Sequence, residues 1–319
     1  MASSLSEVAR LAGVSESTAS SVLTKRRGFR VSPETAARIR EAAERLEYRP
    51  NRLARALATG STRLIALIDY DFGANFSAHL GRQFHLALGA DGYDLVVFGQ
   101  STPPDAVAGI VDGVICSSRE VPPGLDDVLP VVQISSNPDT RQDAIRLDLK
   151  TATAAAMRVF ERAGCDQVAF LGPASGLESF DGRLAAYRDF VAESGRTEIL
   201  VETESDRPHE GYQALGYYAE TSSWPVGIFC RNDELALGAY RAIRESGRTV
   251  GNDIAVIGCD DIGGGYFDPP LTSMALPFKE ISETAWSLLR ERIASPDLPS
   301  RSFTVTPELI ERASSQRRS

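Results

Sequence analysis

Histidine and cysteine are scarce in this chain, which has three histidines and four cysteines among 319 residues. The cysteines lie far apart, and no two have Cys-x-x-Cys spacing: Cys116, Cys165, Cys230 and Cys259. His79, His85 and His209 also lack the spacing that is typical of metal ligands. The sequence therefore predicts no metal site and four buried, free thiols.

Several enzyme motifs are missing as well. No G-x-x-x-x-G-K-[ST] loop occurs, and the three glycines at 263–265 lack the spacing of a dinucleotide-binding fingerprint. The segment 172–176 is close to the G-x-S-x-G elbow of hydrolases, but its spacing is G-x-x-S-G and no histidine follows at a useful distance. We therefore expect no catalytic residues and no cofactor.

No apolar run approaches the length of a membrane-spanning helix. Residues 1–13 also lack the basic stretch and the following apolar stretch of a secretory signal. Hydrophobic residues make up 43% and charged residues 24% of the chain, which is typical of globular proteins. The sequence predicts a cytoplasmic protein of two or three domains, with a core that needs no disulfide.

Charge is distributed unevenly, although the net value is −9. Residues 1–60 contain 11 lysines and arginines, six glutamates and no aspartate, which gives +5. The remainder contains 23 basic and 37 acidic residues, which gives −14. A basic head on an acidic body favours contact of the head alone with a polyanion.

Three short helices are predicted in the head. Ser4 and Glu7 have capping-box spacing, and Gly13 permits a tight turn after the first helix. Ser15 is expected to cap the second helix, and the segment 32–34 (Ser-Pro-Glu) is typical of the start of a third. The predicted inward faces are Leu5, Val8, Leu11 and Ala12, then Thr18, Ala19, Val22 and Leu23, then Ala36, Ile39, Ala43 and Leu46.

The second predicted helix carries many hydroxyls and few large side chains. Its hydroxyl-bearing residues are Ser15, Ser17, Thr18, Ser20 and Ser21. The order helix, glycine turn, helix is that of a helix-turn-helix, and small hydroxyl-bearing side chains let such a helix approach the DNA major groove. The basic residues that follow can neutralise phosphates: Lys25, Arg26, Arg27 and Arg30. A three-helix bundle with one polar face is the alternative.

Residues 50–60 predict a short hinge helix. Pro50 ends the preceding segment, Asn51 can cap, and residues 52–58 form barely two turns, a length that is marginal for an isolated helix. Two arginines and two leucines occur in these turns: Arg52, Leu53, Arg55 and Leu57. An apolar wedge flanked by arginines suits insertion into a minor groove. A plain linker between domains is the alternative.

The body, residues 61–319, alternates apolar runs with helical stretches. The runs lie at 62–68, 94–99, 113–117, 131–135, 167–172, 226–230 and 254–260. The helical stretches lie at 76–89, 151–163, 182–193, 209–220 and 235–246. Continuous apolar strands of this kind are buried on both faces, so the pattern predicts an α/β fold with parallel sheets between helices.

Polar residues follow several of these strands, where ligands bind in parallel sheets. The candidates are Asp71, Phe72, Asp148, Asp181, Arg183, Arg231, Asn232, Asp233, Asp260 and Asp261. Carboxylates, a guanidinium and an amide in one cleft suit the vicinal hydroxyls of a sugar or the edges of a purine. Helix capping is the alternative, above all for Asn232 and Asp233.

Three segments of the head resemble the lactose/galactose repressor (LacI/GalR) family: L-S-E-V-A-R-L-A-G-V-S-E-S-T-A-S-S-V-L, V-S-P-E-T and L-E-Y-R-P-N-R-L-A-R-A-L. The resemblance implies a helix-turn-helix head at 1–49 and a hinge helix at 50–60. It places Glu16, Ser17 and Ser21 at base-contacting positions and Leu57 at the hinge wedge, flanked by Ala54 and Arg55. An arginine that is often found at the Ser21 position is missing, so we expect an operator half-site unlike the commoner ones.

The body resembles the same family at D-x-x-x-A, G-R-L-A-A-Y, R-N-D-E-L-A-L-G-A, I-G-C-D-D and P-P-L-T-S. The resemblance implies a periplasmic-binding-protein-like body at 61–319, with two lobes, three crossings and an effector in the cleft. Its effector contacts would be Arg183, Asn232 and Asp260, with Asp148 and Phe72 lining the cleft. Two features depart from the family: the turn after the first strand is DFGANF, and Arg207 stands where an aromatic often stacks on the ligand. The second departure favours an effector with an acidic group.

Taken together, these patterns predict a homodimeric transcriptional regulator, a repressor, that binds a near-palindromic double-stranded operator and a sugar or sugar derivative. It is not expected to be an enzyme. An enzyme joined to a DNA-binding head is one competing class. A free-standing solute-binding protein is another, but it would lack the head and carry a signal.

Overall fold

The computed structural model describes residues 4–23, 29–48, 56, 60–69, 73–118, 120–139, 141–173 and 182–317. The chain divides into two compact units, 1–62 and 63–319, and each has its own hydrophobic core. Of the predicted hinge helix, only Ala56 and Gly60 belong to the described residues; Ala56 is helical, and Gly60 N donates to its carbonyl at 2.8 Å.

Three helices form the described part of the head: α1 (Leu5–Ala12), α2 (Glu16–Leu23) and α3 (Pro33–Arg45). Ser4 caps α1 in a capping box, since Glu7 N donates to Ser4 Oγ at 3.3 Å and Ser4 N donates to Glu7 Oε2 at 2.8 Å. Gly13 ends α1 at a φ of 66°, and Ser32 Oγ accepts a hydrogen bond from Thr35 N at 3.2 Å. The caps predicted for α1 and α3 are therefore confirmed.

Small side chains fill the core of the head: Val8, Ala9, Ala12, Ala19, Val22, Ile39, Ala42 and Ala43. Leu11 was expected in this core but is 46% exposed. The reason is the narrow buried stripe of a helix of two turns, which Val8, Ala9 and Ala12 already fill.

The first lobe of the body contains a six-stranded parallel sheet in the order β11-β5-β4-β3-β1-β2. Its strands are β1 (Leu64–Asp69), β2 (Asp94–Gly99), β3 (Gly113–Ser117), β4 (Val131–Ser135), β5 (Asp143–Leu147) and β11 (Ser302–Val305). Its helices are α4 (Asn75–Ala90), α5 (Pro104–Val107) and α10 (Phe278–Ala294). The N-lobe, as we call it, has a core in which Phe84 of α4 and Leu289 of α10 pack against Ile115 of β3 and the other strands.

The second lobe, the C-lobe, contains a six-stranded sheet in the order β12-β10-β9-β8-β6-β7. Its strands are β6 (Val168–Leu171), β7 (Ile199–Val201), β8 (Gly227–Cys230), β9 (Ala255–Asp260), β10 (Thr272–Ala275) and β12 (Glu308–Ile310). Its helices are α6 (Leu149–Arg162), α7 (Gly182–Ser194), α8 (Pro208–Thr221) and α9 (Asp233–Glu245). One core joins α6 and α7 to the sheet and another joins α8 and α9, so helices cover both faces as predicted.

Helices α8 and α9 pack closely because glycine lies at their contact. A Cβ at Gly238 would lie 2.0 Å from the carbonyl oxygen of Pro208 and 2.7 Å from the backbone nitrogen of Tyr212. This close packing brings the first turns of both helices to the same end of the C-lobe.

The chain passes between the lobes three times among the described residues: between β5 and α6, between β10 and α10, and between β11 and β12. Each passage takes only one or two residues. The expected α/β architecture of two lobes with three crossings is confirmed.

Three expectations about the elements were wrong or incomplete. β2 was predicted as a buried strand, but it is an edge strand that pairs with β1 alone, and Val97 is 48% exposed. β12 runs antiparallel to β10, so the C-lobe sheet is not wholly parallel. The elements that were not predicted are β5, β7, β10, β11, β12, α5 and α10.

Candidate functional site

Helix α2 begins at a serine cap and exposes polar side chains in its first turn. Ser15 Oγ accepts a hydrogen bond from Thr18 N at 3.2 Å and lies 2.8 Å from Thr18 Oγ1 and 2.9 Å from Ser17 Oγ. Glu16 and Ser17 are exposed, whereas Ser21 is 7% exposed. The free head thus presents Glu16 and Ser17 to a ligand more readily than Ser21. Arg30 is exposed on the segment before α3.

Eight of the predicted contact residues lie outside the described residues. Six belong to the DNA-binding set and two to the effector set: Lys25, Arg26, Asn51, Arg52, Arg55, Leu57, Asp71 and Phe72. Asp181, another candidate at a strand end, lies there too.

Arg183 and Asp260 lie at the same end of the C-lobe sheet. Arg183 is on the first turn of α7 and 9% exposed; its Nη1 donates to the carbonyl oxygen of Arg231 at 2.8 Å and to Cys259 Sγ at 3.8 Å. Asp260 ends β9, is 8% exposed and has a φ of 101°, which is rare for an aspartate. A buried guanidinium beside a buried carboxylate is a donor and acceptor set suited to a polyhydroxylated ligand.

Asn232 caps a helix, which was the alternative weighed for it, and it also contacts the segment before α8. Its Oδ1 caps α9 by accepting from Leu235 N at 2.8 Å, and its Nδ2 donates to the carbonyl oxygen of Asp206 at 3.3 Å. Asp206 forms an ion pair with Arg231 in which both side chains are mostly buried, at 15% and 13% exposure. Asp206 Oδ1 is buried and has no hydrogen-bond partner among the described residues, so it can accept from a ligand hydroxyl.

Asp233 does not cap its own helix, although capping was the alternative for it. Its carboxylate accepts from Ser273 Oγ at 2.7 Å and from Ile262 N at 2.8 Å, and it thereby ties the start of α9 to β10 and to the segment after β9. Asp148, by contrast, is the N-cap of α6 and accepts from Thr151 N at 3.1 Å. This cap lies at the first crossing, where the N-lobe strand β5 leads into the C-lobe.

Arg207 precedes the first residue of α8 and reaches the N-lobe. Its Nη1 donates to the carbonyl oxygen of Gly73 and lies 3.9 Å from Glu234 Oε1. Glu234, on the first turn of α9, also accepts from the backbone nitrogen of Asn75 at 3.2 Å. The structure therefore brings Arg207, Arg183, Asn232 and Asp260 to the end of the C-lobe that faces the N-lobe, as the sequence predicted.

Burial shifts the two carboxyl groups at the end of the C-lobe toward the protonated form. The pKa of Asp260 is raised to about 7 by burial, which the charge of Arg183 opposes only in part. The pKa of Asp233 is raised to about 8, first by burial and then by the charge of Asp260. Because the pKa values of both carboxyl groups lie near neutral pH, a charge that a ligand brings or removes would change their protonation.

Two charged side chains at this end of the C-lobe were not predicted as candidates, Asp206 and Glu234, and the pairing of Arg231 with Asp206 was not predicted either. Each matters because of a contact with a residue at least 25 positions away in sequence. The sequence signal for these residues was a charged side chain next to the start of a predicted helix. This signal does not distinguish a helix cap from a contact with a distant residue.

Two cavities lie elsewhere in the body. One of about 540 Å³ in the N-lobe is lined by Glu120, Gln133 and Gln142 among others, and one of about 370 Å³ in the C-lobe is lined by Trp224 and Arg248 among others. Neither is lined by a predicted effector contact. Arg183, Arg207 and Asn232 contact protein groups instead.

No cluster of three potential metal ligands occurs in the part of the chain that the structure describes. Within that same part, no helix combines the length and the hydropathy that a transmembrane span requires. The four cysteines are buried and unpaired, as predicted.

Comparison with known proteins covers both units. Residues 4–51 match the bacterial regulatory proteins of the lacI family, and residues 157–315 match the periplasmic binding protein-like domain. The HTH-type transcriptional repressor PurR of Erwinia tasmaniensis is 30% identical to this chain, over 97% of this chain and 96% of its own length.

Two solved structures share the fold. The Lac repressor dimer bound to operator and the anti-inducer ONPF has a TM-score of 0.82 at 24% identity and 99% coverage of both chains. The complex of the transcriptional regulator CelR with cellobiose has a TM-score of 0.72 at 25% identity, covering 98% of this chain and 99% of its own.

Proposed function

This chain belongs to the LacI family of bacterial regulatory proteins, and from that premise we propose that it represses transcription as a homodimer under the control of a small molecule. The observation that carries the proposal is helix α2, which starts at a serine cap and exposes Glu16 and Ser17 on a head of charge +5. Small side chains admit the helix to a major groove, and the basic charge attracts phosphates.

Two heads on one two-fold axis match a near-palindromic operator. Large apolar side chains that are exposed on the body support pairing of two copies. In the N-lobe these include Leu86 at 54% and Val97 at 48% exposure, and in the C-lobe Leu237 at 54% and Tyr266 at 96%. Contact between copies would remove such surface from water.

The effector is a sugar or sugar derivative bound at the end of the C-lobe sheet. Arg183 and Asp260 supply a donor and an acceptor there, Asp206 Oδ1 supplies a second acceptor, and Asp148 lies at the neighbouring crossing. The transcriptional regulator CelR, whose structure is a complex with cellobiose, shares the fold. The ligand would be bound and released without chemical change, because the proposed role needs no catalysis. We propose that the protein acts in the cytoplasm.

Control of DNA binding requires that the effector bind two conformations with different affinity. The two conformations would differ in the contact between the lobes, since three short connections allow the lobes to rotate relative to each other. A coupling of about 1–3 kcal/mol would change operator affinity several-fold to about a hundredfold.

The full chain should bind at least one double-stranded fragment from the chromosomal region of its own gene, with an affinity that falls steeply with salt concentration. Replacing both Glu16 and Ser17 by alanine should change the preferred sequence, because these side chains face the base edges in the proposed complex. Glu283→Gln, at an exposed position of α10, is the matched control and should leave binding unchanged. Failure to bind any fragment, with or without a panel of sugars, would refute the function.

A further inference from the structure

The larger of the two cavities described above, lined by Glu120, Gln133 and Gln142 among others, belongs to the N-lobe, and we call it the N-lobe cavity. It lies between the segment that connects β3 to β4 and the segment that connects β4 to β5. Its volume of about 540 Å³ is within the range of about 300–1,000 Å³ that is typical of small-molecule sites. The cavity is therefore large enough for a ligand of its own.

Acidic side chains dominate the wall of the N-lobe cavity. Asp139 is paired with Arg141, whose Nη2 lies 2.7 Å from Asp139 Oδ2. Three more carboxylates line the cavity without an ion pair to any other described residue: Glu120, Asp126 and Asp127. The described lining residues thus include four acidic side chains and one basic side chain, which gives a charge of −3.

These carboxylates favour a positive charge beside the cavity. The pKa of Arg141 is raised, first by its hydrogen bond to Asp139 and further by the charges of Asp126 and Asp127. Asp126 and Asp127 therefore act on a cation that neither of them pairs with directly. A cation inside the N-lobe cavity would interact with the same two carboxylates.

Gln142 brings a buried acceptor without a donor to the wall of the cavity. The residue is 8% exposed, and its Nε2 donates to Asp126 Oδ2 at 2.8 Å, so its terminal amide lies beside a wall carboxylate. Its Oε1 is buried and accepts no hydrogen bond from the described residues. The neighbouring Gln133 has partners at both ends, because its Oε1 accepts from Asp139 N at 2.8 Å and its Nε2 donates to the carbonyl oxygen of Ser118 at 3.3 Å. The unsatisfied oxygen of Gln142 therefore points to a donor from outside the chain.

The chemistry of the wall suits an ammonium group better than other cations. The described residues contain no cluster of three potential metal ligands, and no aromatic side chain is among the described residues that line the cavity. Quaternary ammonium groups bind to aromatic faces, whereas a primary ammonium offers three N–H donors to oxygen acceptors. Val121, Pro123 and Pro138 also line the cavity and can contact the carbon skeleton of such a ligand.

We infer that the N-lobe cavity binds an organic amine, whose ammonium group donates to Gln142 Oε1 and to the carboxylate of Asp126. The amine is a ligand distinct from the proposed effector, because no predicted effector contact lines this cavity. The inference therefore goes beyond the proposed function and does not depend on it. The site lies in the lobe to which the head is joined.

The first experiment titrates the full chain with 1,4-diaminobutane by isothermal calorimetry, at constant ionic strength. We expect saturable binding. Tetramethylammonium has the charge without an N–H donor and should bind at least tenfold more weakly. Saturable binding of Ca²⁺ or Mg²⁺ in place of the amine would contradict the inference, and so would equal affinity for the two ammonium ions.

Asp126→Asn removes the charge of the wall carboxylate and keeps its shape. It should weaken the binding of 1,4-diaminobutane by about ten- to a hundredfold, since a hydrogen bond to a charged group is lost. Asp105→Asn, at an exposed position of α5 outside the cavity, is the matched control and should bind the amine as the unsubstituted protein does. Equal affinities of these two variants would refute the site.

Two substitutions of Gln142 separate an acceptor from a purely structural side chain. Gln142→Met removes the acceptor and should weaken amine binding by about two- to tenfold. Gln142→Glu adds a carboxylate beside Asp126 and should tighten binding at pH 8 by about three- to tenfold. A structural role alone predicts no tightening, so unchanged or weaker binding by a Gln142→Glu variant with the circular dichroism of the unsubstituted protein would overturn the inference. Operator binding by the same preparations, without amine, tests the proposed function separately.

Discussion

Asp143 of the N-lobe and Asp260 of the C-lobe are both buried aspartates at strand ends, but their surroundings shift their charge in opposite directions. Burial by itself raises the pKa of Asp143, yet hydrogen bonds from Arg292 and Arg301 outweigh it and lower the pKa below its usual value. For Asp260 burial prevails, and the pKa rises to about 7 even though Arg183 is near.

The difference is the one expected between a structural carboxylate and a carboxylate that we propose to bind the effector. Asp143 accepts from Arg292 Nε at 3.1 Å, from Arg301 Nε at 3.3 Å and from Arg301 N at 2.8 Å. It thereby fastens α10 and the start of β11 to β5, where the chain has returned to the N-lobe. Asp260 has no comparable set of donors among the described residues, and a ligand that donates hydrogen bonds would supply one.

The largest effect is expected for Asp143→Ala. Removing the carboxylate leaves two guanidinium groups, Arg292 and Arg301, at 14% and 29% exposure without their shared partner. Breaking a buried pair in this way costs about 3–5 kcal/mol of unfolding free energy, measurable by urea denaturation. Asp105→Ala, at an exposed position of α5 in the same lobe, is the control. A loss no larger than that of the control would show that Asp143 is not structural.

Asp260→Asn should change the pH dependence of stability. The folded-state pKa of Asp260 is raised, so its contribution to stability is present below about pH 4 and is lost as the pH rises toward 7. The variant should therefore gain about 4 kcal/mol relative to the unsubstituted protein across this range, since a pKa raised from about 4 to about 7 costs about 1.4 kcal/mol for each pH unit.

Asp143 should behave in the opposite sense, because its lowered pKa gives stability that is present above about pH 4 and is lost in more acidic solution. Unfolding free energies from pH 3 to pH 8 test both aspartates. If the unfolding free energies of the Asp260→Asn variant and of the unsubstituted protein changed in parallel with pH, the contrast between Asp260 and Asp143 would be contradicted.

Ser273→Ala is expected to have a smaller effect. Ser273 Oγ donates to Asp233 at 2.7 Å and accepts from Asp261 N at 3.1 Å, so its loss should cost about 1 kcal/mol and raise the pKa of Asp233 further above its present value of about 8. Urea denaturation at pH 6 and pH 9 measures both consequences. Ser302→Ala, at an exposed position of β11, should leave the free energy of unfolding unchanged. An equal loss in this control would show that the hydrogen bonds of Ser273 are not the cause.

The smallest effect is expected for Glu311→Gln. Arg162 and Glu311 form an ion pair of 2.6 Å, shorter than the contacts of Asp143, but their side chains are 59% and 47% exposed. Solvent weakens such a pair, and less than about 0.5 kcal/mol should be lost. A loss comparable to that of Asp143→Ala would mean that distance, rather than burial, governs these pairs.

Local signals in the sequence predicted much of the fold. Ser4, Gly13 and Ser32 mark helix ends through contacts within four residues, and continuous apolar runs identified strands such as β3 and β4. α10 was not predicted, although Ile281, Ala285 and Leu288 have the spacing of one buried helical face. β5 and β11 carry polar residues at their ends and pair with each other only after the chain has crossed to the C-lobe and returned.

The candidate site was predictable to the extent that strand ends converge. Arg183, Asn232 and Asp260 lie together for that reason. The contact of Glu234 with Asn75 was not predictable, because it depends on how near the two lobes approach, and no local pattern encodes that distance. The DNA-contact assignments remain predictions for the head.

The order of the crossings has a mechanical consequence. The head is joined covalently to β1 and so to the N-lobe alone, while four of the predicted effector contacts belong to the C-lobe: Arg183, Arg207, Asn232 and Asp260. The three short connections allow the two lobes to rotate relative to each other but oppose their translation and separation. A conformational change that effector binding causes in the C-lobe is therefore expected to act on the head as a rotation of the N-lobe. The residues before Leu64 would transmit this rotation.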